Sequence, residues 1–396
     1  MNKPHVAARA ARSSNYYFAD KLAEIKRMMA AGTDVINLGV GSPDLPPMPE
    51  ILGEIKRDMQ ETGAFRYQPY QGSAGLVDGM GQYLQSAFGI AMDVRGIVPL
   101  IGSKEGCGFL SLAHLDPGDA ALIPNPGYPT YSSAARLAGG VVCPYSLHEQ
   151  RNFHPDVASL EVLTRRSEDE GHPVRMMWLN YPHMPTGASP DAACLQEVVD
   201  WARENGLLVV HDNPYARVLN AQPPFSIHQL QGSLDHCIEL HSLSKSHRLS
   251  GARIGFAVGA PDLIGPMYKV STQFASGSWR PLQRAAMMAM EAGETDIEQM
   301  NESLRKRRET GLLLLNGLGC QVREGQDGLF LWARTPPTWD GNRLSDALLE
   351  QCHVFLTPGS VFGSEGLPFV RLSLCTTIER MAKAHERIQN TPSLLP

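Results

Sequence analysis

One lysine lies in a segment of small, hydroxylated residues and could act as a nucleophile. Lys245 stands within HSLSKS (241–246), and Arg253 follows in the next loop. Burial and neighbouring positive charge lower the pKa of an amine far enough to free its lone pair, which they do not do for a guanidinium. The segment therefore indicates an amine that forms a covalent bond with a carbonyl group.

Two further segments supply groups that such an amine needs beside it. GSKEG (102–106) opens a predicted helix, whose free N–H groups and dipole favour a bound phosphate. HDNPY (211–215) follows a predicted strand and carries a carboxylate, Asp212, and a phenol, Tyr215. Each segment alone is more often an ordinary turn or cap. Together with Lys245 they predict a pyridoxal phosphate site: a lysine for the aldehyde, a carboxylate for the pyridinium nitrogen and a helix for the phosphate.

These groups all follow segments that we interpret as buried strands of one sheet. Short apolar segments alternate with helical patterns, which is typical of βαβ units. In an open parallel sheet, ligands bind beyond the carboxyl ends of the strands, where these polar residues lie. The predicted strands are 97–101, 120–123, 141–145, 176–180, 207–211, 237–241 and 254–258.

The pattern predicts an α/β protein with two domains. We expect a large, mostly parallel sheet domain over residues 50–280, and a smaller α+β domain that combines residues 281–396 with an N-terminal arm, residues 1–49. The smaller domain would include a long helix over 296–318 and strands near 320–323, 329–332 and 370–374.

Charge and composition disfavour other classes of protein. The chain has 35 Lys and Arg against 41 Asp and Glu, so its net charge of −6 attracts neither nucleic acid nor an anionic membrane. Its apolar runs fall far short of the roughly 18 residues that a membrane span needs. The seven cysteines contain no CxxC pair and predict neither a disulfide framework nor a zinc site. We expect a cytoplasmic protein that binds small molecules and contains no metal.

The motifs resemble those of the class I/II, fold-type-I aminotransferases, and they are most similar to the LL-diaminopimelate aminotransferase-like branch. The resemblance covers nearly the whole chain. It implies pyridoxal 5′-phosphate as the cofactor and amino-group transfer from an L-amino acid to a 2-oxo acid. The segments that carry it are INLGVGSPDLP (36–46), RYQPYQGSAGL (66–76), LIGSKEG (100–106), PNPGYPTY (124–131), LNYPHMPTGA (179–188), HDNPY (211–215), HSLSKSHRLSGARIGFAVG (241–259) and FVRLSL (369–374).

The resemblance also implies a role for individual residues. Lys245 is then the Schiff-base lysine and proton shuttle, Asp212 pairs with the pyridine nitrogen, and Tyr215 donates to the 3′ oxygen. Arg371 binds the substrate α-carboxylate. The other residues that it implies are Val40 and Gly41 closing over the substrate, Tyr128 stacking on the ring, Ser103, Lys104, Ser242, Ser244 and Arg253 around the phosphate, and Tyr67 reaching the phosphate from the second subunit of a homodimer.

The chain departs from the family pattern in one loop of the site. Met184 stands where the family has the asparagine of Asn-Pro-Thr-Gly, which contacts the 3′ oxygen, and a thioether donates no hydrogen bond. Met184 stays among the predicted cofactor-binding residues, and Asn180, with the substrate-binding residues, is a candidate donor in its place, as is His183. The departure keeps a second function open, namely another pyridoxal phosphate reaction such as β- or γ-elimination, replacement or cyclisation.

Overall fold

The computed structural model describes residues 4–11 and 16–394 of the chain. Its α-helices are α1 (Ala8–Ala11), α2 (Tyr17–Ala30), α3 (Pro49–Asp58), α4 (Leu76–Phe88), α5 (Ser103–His114), α6 (Pro129–Ala138), α7 (Val157–Asp169), α8 (Ala192–Glu204), α9 (Leu243–Ser246), α10 (Pro261–Phe274), α11 (Arg280–Gly317), α12 (Gly341–Cys352) and α13 (Ile378–Gln389). Its strands are β1 (Ile36–Asn37), β2 (Ile97–Leu100), β3 (Ala120–Asn125), β4 (Val141–Ser146), β5 (Val174–Leu179), β6 (Leu208–Asp212), β7 (Cys237–Ser242), β8 (Gly255–Gly259), β9 (Gln321–Val322), β10 (Phe330–Arg334), β11 (Val354–Phe355), β12 (Thr357–Pro358) and β13 (Phe369–Ser373).

A seven-stranded sheet forms the centre of the larger part of the molecule. Its strand order is β2-β8-β7-β6-β5-β3-β4, and only β8 runs antiparallel to its two neighbours. Every residue of β6, β7 and β8 is buried. Such strands are apolar on both faces because helices cover both sides of the sheet. On one side, Trp178 of β5 stacks on Tyr131 of α6 with ring centroids 4.7 Å apart.

A smaller pair of sheets lies beyond the first one. Four antiparallel strands follow the order β12-β13-β10-β9, and β1 pairs in parallel with β11. The 38-residue helix α11 contacts α3 and α4 at one end of its length and α13, β9 and β10 at the other, so it joins the two parts. One hydrophobic cluster also contains both Leu179 of β5 and Leu331 of β10. The division into two domains stays a prediction.

The predicted α/β architecture is confirmed, and all seven predicted strands of the large sheet are present with ends within two residues of the expected positions. The helix expected over 296–318 is longer than predicted and begins at Arg280. Pro281 at its first turn fits a helix start, and alanine and methionine residues continue the helix up to the charged stretch. Within the described residues, no helix is long and apolar enough to span a bilayer.

Candidate active site

The carboxyl ends of the central strands open into a cavity of about 320 Å³. All of the predicted cofactor-binding and substrate-binding residues except Tyr67 line this cavity. They come from segments far apart in the sequence, and the parallel strands bring them together because their carboxyl ends meet at one edge of the sheet. The structure thus places these residues at one site, while their individual roles stay predictions.

The amine of Lys245 lies inside the cavity. Lys245 belongs to the single-turn helix α9, directly after β7, and its Nζ donates to the backbone oxygen of Gly41 at 2.5 Å. Burial lowers the pKa of Lys245, and the charges of Arg371 and Arg253 lower it further, although Asp212 acts in the opposite direction. These surroundings favour the neutral, nucleophilic amine.

Asp212, the last residue of β6, lines the cavity. The residue is buried, and its Oδ2 accepts a hydrogen bond from the Tyr131 hydroxyl at 2.8 Å. Its Oδ1 has no hydrogen-bond partner among the described residues. Burial raises the pKa of Asp212 to about 6, against the lowering effect of the Tyr131 hydrogen bond. A buried carboxylate oxygen without a donor is a binding position for a cationic N–H group.

A second part of the cavity combines a helix N-terminus with an arginine side chain. The N-terminus of α5 begins at Ser103, and the Arg253 guanidinium lies beside it, held by the backbone oxygen of Ser250 at 3.0 Å and by the Ser244 hydroxyl at 3.4 Å. Gly102 has a φ of +78°, and a Cβ there would lie 2.2 Å from Nη2 of Arg253. The glycine therefore lets the arginine reach the helix N-terminus. The guanidinium and the free N–H groups of the helix together favour a bound phosphate.

Arg371, in β13, is a buried cation that has no carboxylate partner among the described residues. Its Nη2 donates to the backbone oxygen of Gly39 at 2.8 Å, and its Nη1 lies 3.2 Å from the Met184 sulfur. Its Nε has no partner in the described part of the chain. Burial lowers the pKa of Arg371 to about 10, so it remains charged at neutral pH. Such a group binds a carboxylate as a bidentate pair.

The segment around Gly41 closes over the site from the N-terminal arm. A Cβ on Gly41 would lie 2.2 Å from Cζ of Phe330, so only glycine permits this approach. The contact aligns the Gly41 carbonyl with Lys245 and leaves Val40 in the cavity wall.

The Met184 loop is fixed by Asn180. The Oδ1 of Asn180 accepts from the backbone N–H of Met184 at 2.8 Å, and its Nδ2 donates to the backbone oxygen of Asp212 at 2.6 Å. One N–H of the Asn180 amide remains for a ligand, whereas His183 does not line the cavity. Asn180 is therefore the better of the two candidate donors, while the Met184 sulfur faces Arg371.

The Tyr67 side chain is 93% exposed and lies outside the cavity of its own chain. Its predicted role in a second subunit is a separate question, because only one chain is described.

The sequence prediction missed several residues that line the cavity. Tyr131 lies three residues after Tyr128, one helical turn further along the same motif, and this spacing was the available signal. The others are Pro214 and Ser250, together with four aromatic residues that resemble ordinary core in the sequence: Tyr16, Phe18, Phe330 and Phe362.

This sheet carries a lysine after one central strand, a carboxylate at the end of the neighbouring strand, and a helix N-terminus beside an arginine. The combination is typical of a fold-type-I aminotransferase. The model of the aminotransferase class I and II family matches residues 33–388. The chain belongs to this family and is an enzyme of the aminotransferase class.

Curated relatives and solved structures agree with this assignment. The chain is 33% identical over 377 residues to an LL-diaminopimelate aminotransferase of Aquifex aeolicus, covering 95% of this chain and 96% of that protein. A relative with the same name from Halothermothrix orenii is 32% identical over 378 residues, with 95% and 96% coverage. The substrate-bound BacF structure from Bacillus subtilis superposes with a TM-score of 0.93 at 28% identity, covering 100% of this chain and 99% of that one. Aspartate aminotransferase from Thermus thermophilus with maleate gives 0.89 at 25% identity, with 98% and 100% coverage.

Proposed function

We propose that this enzyme binds pyridoxal 5′-phosphate in the cavity and transfers an amino group from an L-amino acid to a 2-oxo acid. The observation that carries the proposal is the unpaired Oδ1 of Asp212 in the same cavity as the buried amine of Lys245. An unsatisfied buried carboxylate oxygen is costly unless a ligand supplies a donor. A protonated pyridine nitrogen is such a donor.

The described residues fit the rest of that cofactor. Ser103 and Arg253 would hold the phosphate together with Lys104, Ser242 and Ser244, which line the same end of the cavity. Burial raises the pKa of the Tyr215 phenol, so it stays protonated and can donate to the 3′ oxygen. Tyr128 would stack on the ring. When bound, pyridoxal phosphate supplies an aldehyde for the amine and a ring that accepts electrons from the substrate Cα.

The protein residues would then position the substrate and move protons. Arg371 would bind the α-carboxylate through N–H groups that now contact only a carbonyl and a thioether. Nζ of Lys245 would move a proton between the substrate Cα and the carbon of the cofactor aldehyde group, since its lowered pKa lets it act as base and then as acid. Val40 and Gly41 would keep water from this side of the site.

We also propose a homodimer with shared active sites. The side chains of Phe65, Tyr67, Tyr70 and Phe274 are exposed, and a β-bridge between Gln68 and Gly277 holds together the two segments that carry them. Exposed apolar surface in one region is typical of an interface. Tyr67 would reach the phosphate of the second subunit. A cytoplasmic location fits the seven cysteines, all of which are free.

The reaction type is tested with cofactor-loaded protein, a panel of L-amino acids and a 2-oxo acid acceptor. We expect a new amino acid derived from the acceptor and a new 2-oxo acid in equal amounts, without ammonia. Ammonia or a cyclised product in place of the new amino acid would contradict transfer and would favour elimination or cyclisation instead.

A further inference from the structure

Aromatic rings from three elements surround the carboxylate-binding arginine. The guanidinium carbon of Arg371 lies 3.9 Å from the ring centroid of Phe330, 4.6 Å from that of Phe362 and 5.5 Å from that of Phe18. Phe330 begins β10, Phe362 ends a short 3-10 turn, and Phe18 belongs to α2 of the N-terminal arm. All three line the cavity, so a substrate whose carboxylate binds Arg371 lies close to these rings.

The charged groups of the cavity have tasks elsewhere. Asp212 and Lys245 serve the cofactor, and Arg371 serves the α-carboxylate. The other two cations in the lining, Lys104 and Arg253, lie at the α5 end of the cavity, which fits the phosphate. Among the described residues that line the cavity, no charged side chain is left for a second charge on the substrate.

The ring of Tyr16 packs against Lys104. The Nζ of Lys104 lies 4.2 Å from the Tyr16 ring centroid, a cation–π contact. Tyr16 also lines the cavity, with Phe18 two residues further on. The arm therefore adds carbon surface to the site, and it places an aromatic ring against the ammonium group of Lys104.

We propose that the substrate is an L-amino acid with a large, uncharged, apolar side chain, such as an aromatic or branched aliphatic one. This inference rests on the proposed function, because it takes Arg371 as the α-carboxylate site. It separates the chain from the relatives named LL-diaminopimelate aminotransferases, since diaminopimelate carries an ammonium and a carboxylate at its far end. Burying those charges beside Phe18 and Phe362 without partners is unfavourable, whereas burying a phenyl group there is favourable.

The proposal can be tested by equilibrium binding, without turnover. The probes are carboxylic acids that lack the amino group, titrated into cofactor-loaded protein in a calorimeter: 3-phenylpropionate, glutarate, pimelate and propionate. We expect 3-phenylpropionate to bind at least about 10-fold more tightly than glutarate or pimelate, because a single apolar group already gives discrimination of about that size. Equal or tighter binding of either dicarboxylate would overturn the proposal, including the case in which a second subunit supplies a cation.

Two variants assign the preference to the rings. Phe18→Leu and Phe362→Leu should each reduce the ratio of 3-phenylpropionate affinity to propionate affinity by roughly 2- to 12-fold, the range for a lost aromatic contact. Propionate reaches Arg371 alone and corrects for changes there. Phe225→Leu is the matched control, because Phe225 is partly buried but lies outside the cavity, and its ratio should not change. An unchanged ratio in both ring variants would overturn the assignment.

Failure of this inference differs from failure of the proposed function. If diaminopimelate or glutamate donates its amino group while L-phenylalanine and L-leucine do not, the substrate class is wrong and transfer stands. If 3-phenylpropionate binds as expected but none of the amino acids donates, transfer is wrong and the apolar site stands.

Discussion

Two buried carboxylates on adjacent strands have opposite surroundings. Asp212, which ends β6, accepts one hydrogen bond and leaves Oδ1 unpaired. Glu239, in β7, does not line the cavity and is fully buried. Both of its oxygens accept hydrogen bonds, from His211 Nδ1, Asn213 Nδ2, the Ile227 backbone N–H, the Ser226 hydroxyl and His241 Nε2.

The pKa values of the two groups follow from this difference. Burial alone would raise the pKa of Glu239, but His241 and His211 hold it well below its ordinary value. For Asp212 the effect of burial dominates, and its pKa rises to about 6. The Nε2 of His211 accepts from the Tyr181 backbone N–H, so its proton is on Nδ1 and points at Glu239. A buried carboxylate whose two oxygens both accept hydrogen bonds therefore stabilises the sheet, whereas one with an unpaired oxygen marks the position of a ligand.

The largest predicted effect concerns Lys245 in the cavity, and it is an effect on activity and not on stability. Lys245→Ala should abolish amino-group transfer because both the reactive amine and the proton carrier are lost. The midpoint of urea unfolding should stay near that of the wild type. Lys269→Ala, on the exposed surface of α10, is the control and should leave both properties unchanged. Substantial turnover by Lys245→Ala would remove this lysine from the reaction.

For Glu239, whose two oxygens both accept hydrogen bonds, the effect should be on stability. Glu239→Gln removes the buried charge that five donors share, and breaking such a network costs about 3–5 kcal/mol. We expect a clear drop in the urea midpoint of the cofactor-free protein. Glu302→Gln changes an exposed glutamate paired with Lys306 and should leave the urea midpoint near that of the wild type. Similar midpoints for the two variants would refute the structural role of Glu239.

Substrate affinity should depend on Arg371, the buried cation that we propose as the α-carboxylate site. Arg371→Ala should raise KM by about 10- to 150-fold with a smaller change in kcat, because a charge-assisted pair of about 1.5–3 kcal/mol is lost from ground and transition states alike. Steady-state kinetics on the best amino acid measure this. Arg380→Ala, at an exposed pair with Asp34, serves as the control. An unchanged KM would place the α-carboxylate elsewhere.

The raised pKa of Asp212 predicts a pH dependence of stability. In the cofactor-free protein, a carboxylate whose pKa is raised to about 6 stabilises the folded state at low pH and loses that contribution as pH rises through 6. Between pH 5 and 7, the wild type should therefore lose about 1.4 kcal/mol relative to Asp212→Asn. Unfolding of both proteins at the two pH values gives this difference. A constant difference would mean that Asp212 is already charged at pH 5.

The smallest predicted effect concerns Met184, whose sulfur lies against Arg371. Met184→Asn places an amide donor where the α-carboxylate binds and should lower KM by about 2- to 12-fold, the value of one hydrogen bond of about 0.5–1.5 kcal/mol. Met184→Leu is the matched control without a donor and should not lower KM. The same KM for both variants would show that this side chain does not reach the substrate.

The sequence was informative wherever a residue type and its position together imply chemistry. Asp212 and Lys245 directly follow apolar segments whose length and flanks predict buried strands, and parallel strands bring their ends to one edge. The meeting of these two residues in one cavity followed from that rule. The start of α11 was missed, although Pro281 and the alanine and methionine residues after it are typical of the first turns of a helix.

The aromatic wall and the Glu239 cluster could not be predicted, for a physical reason. Phe330 stands in FLW, which resembles the interior of any strand, and only the tertiary arrangement turns its ring towards Arg371. Glu239 alternates with apolar residues as an exposed strand residue would. Its partners Ser226 and Asn213 come from other segments, and sequence spacing does not indicate that they meet.

The most direct test of the account is to locate the covalent bond between protein and cofactor. The protein is loaded with pyridoxal phosphate, reduced with borohydride, digested and analysed by mass spectrometry. We predict that the reduced cofactor is attached to Lys245 alone, and that Asp212→Asn gives less of the adduct at a limiting cofactor concentration. Attachment to Lys104 or to any other lysine would contradict the assignment of this cavity as the active site.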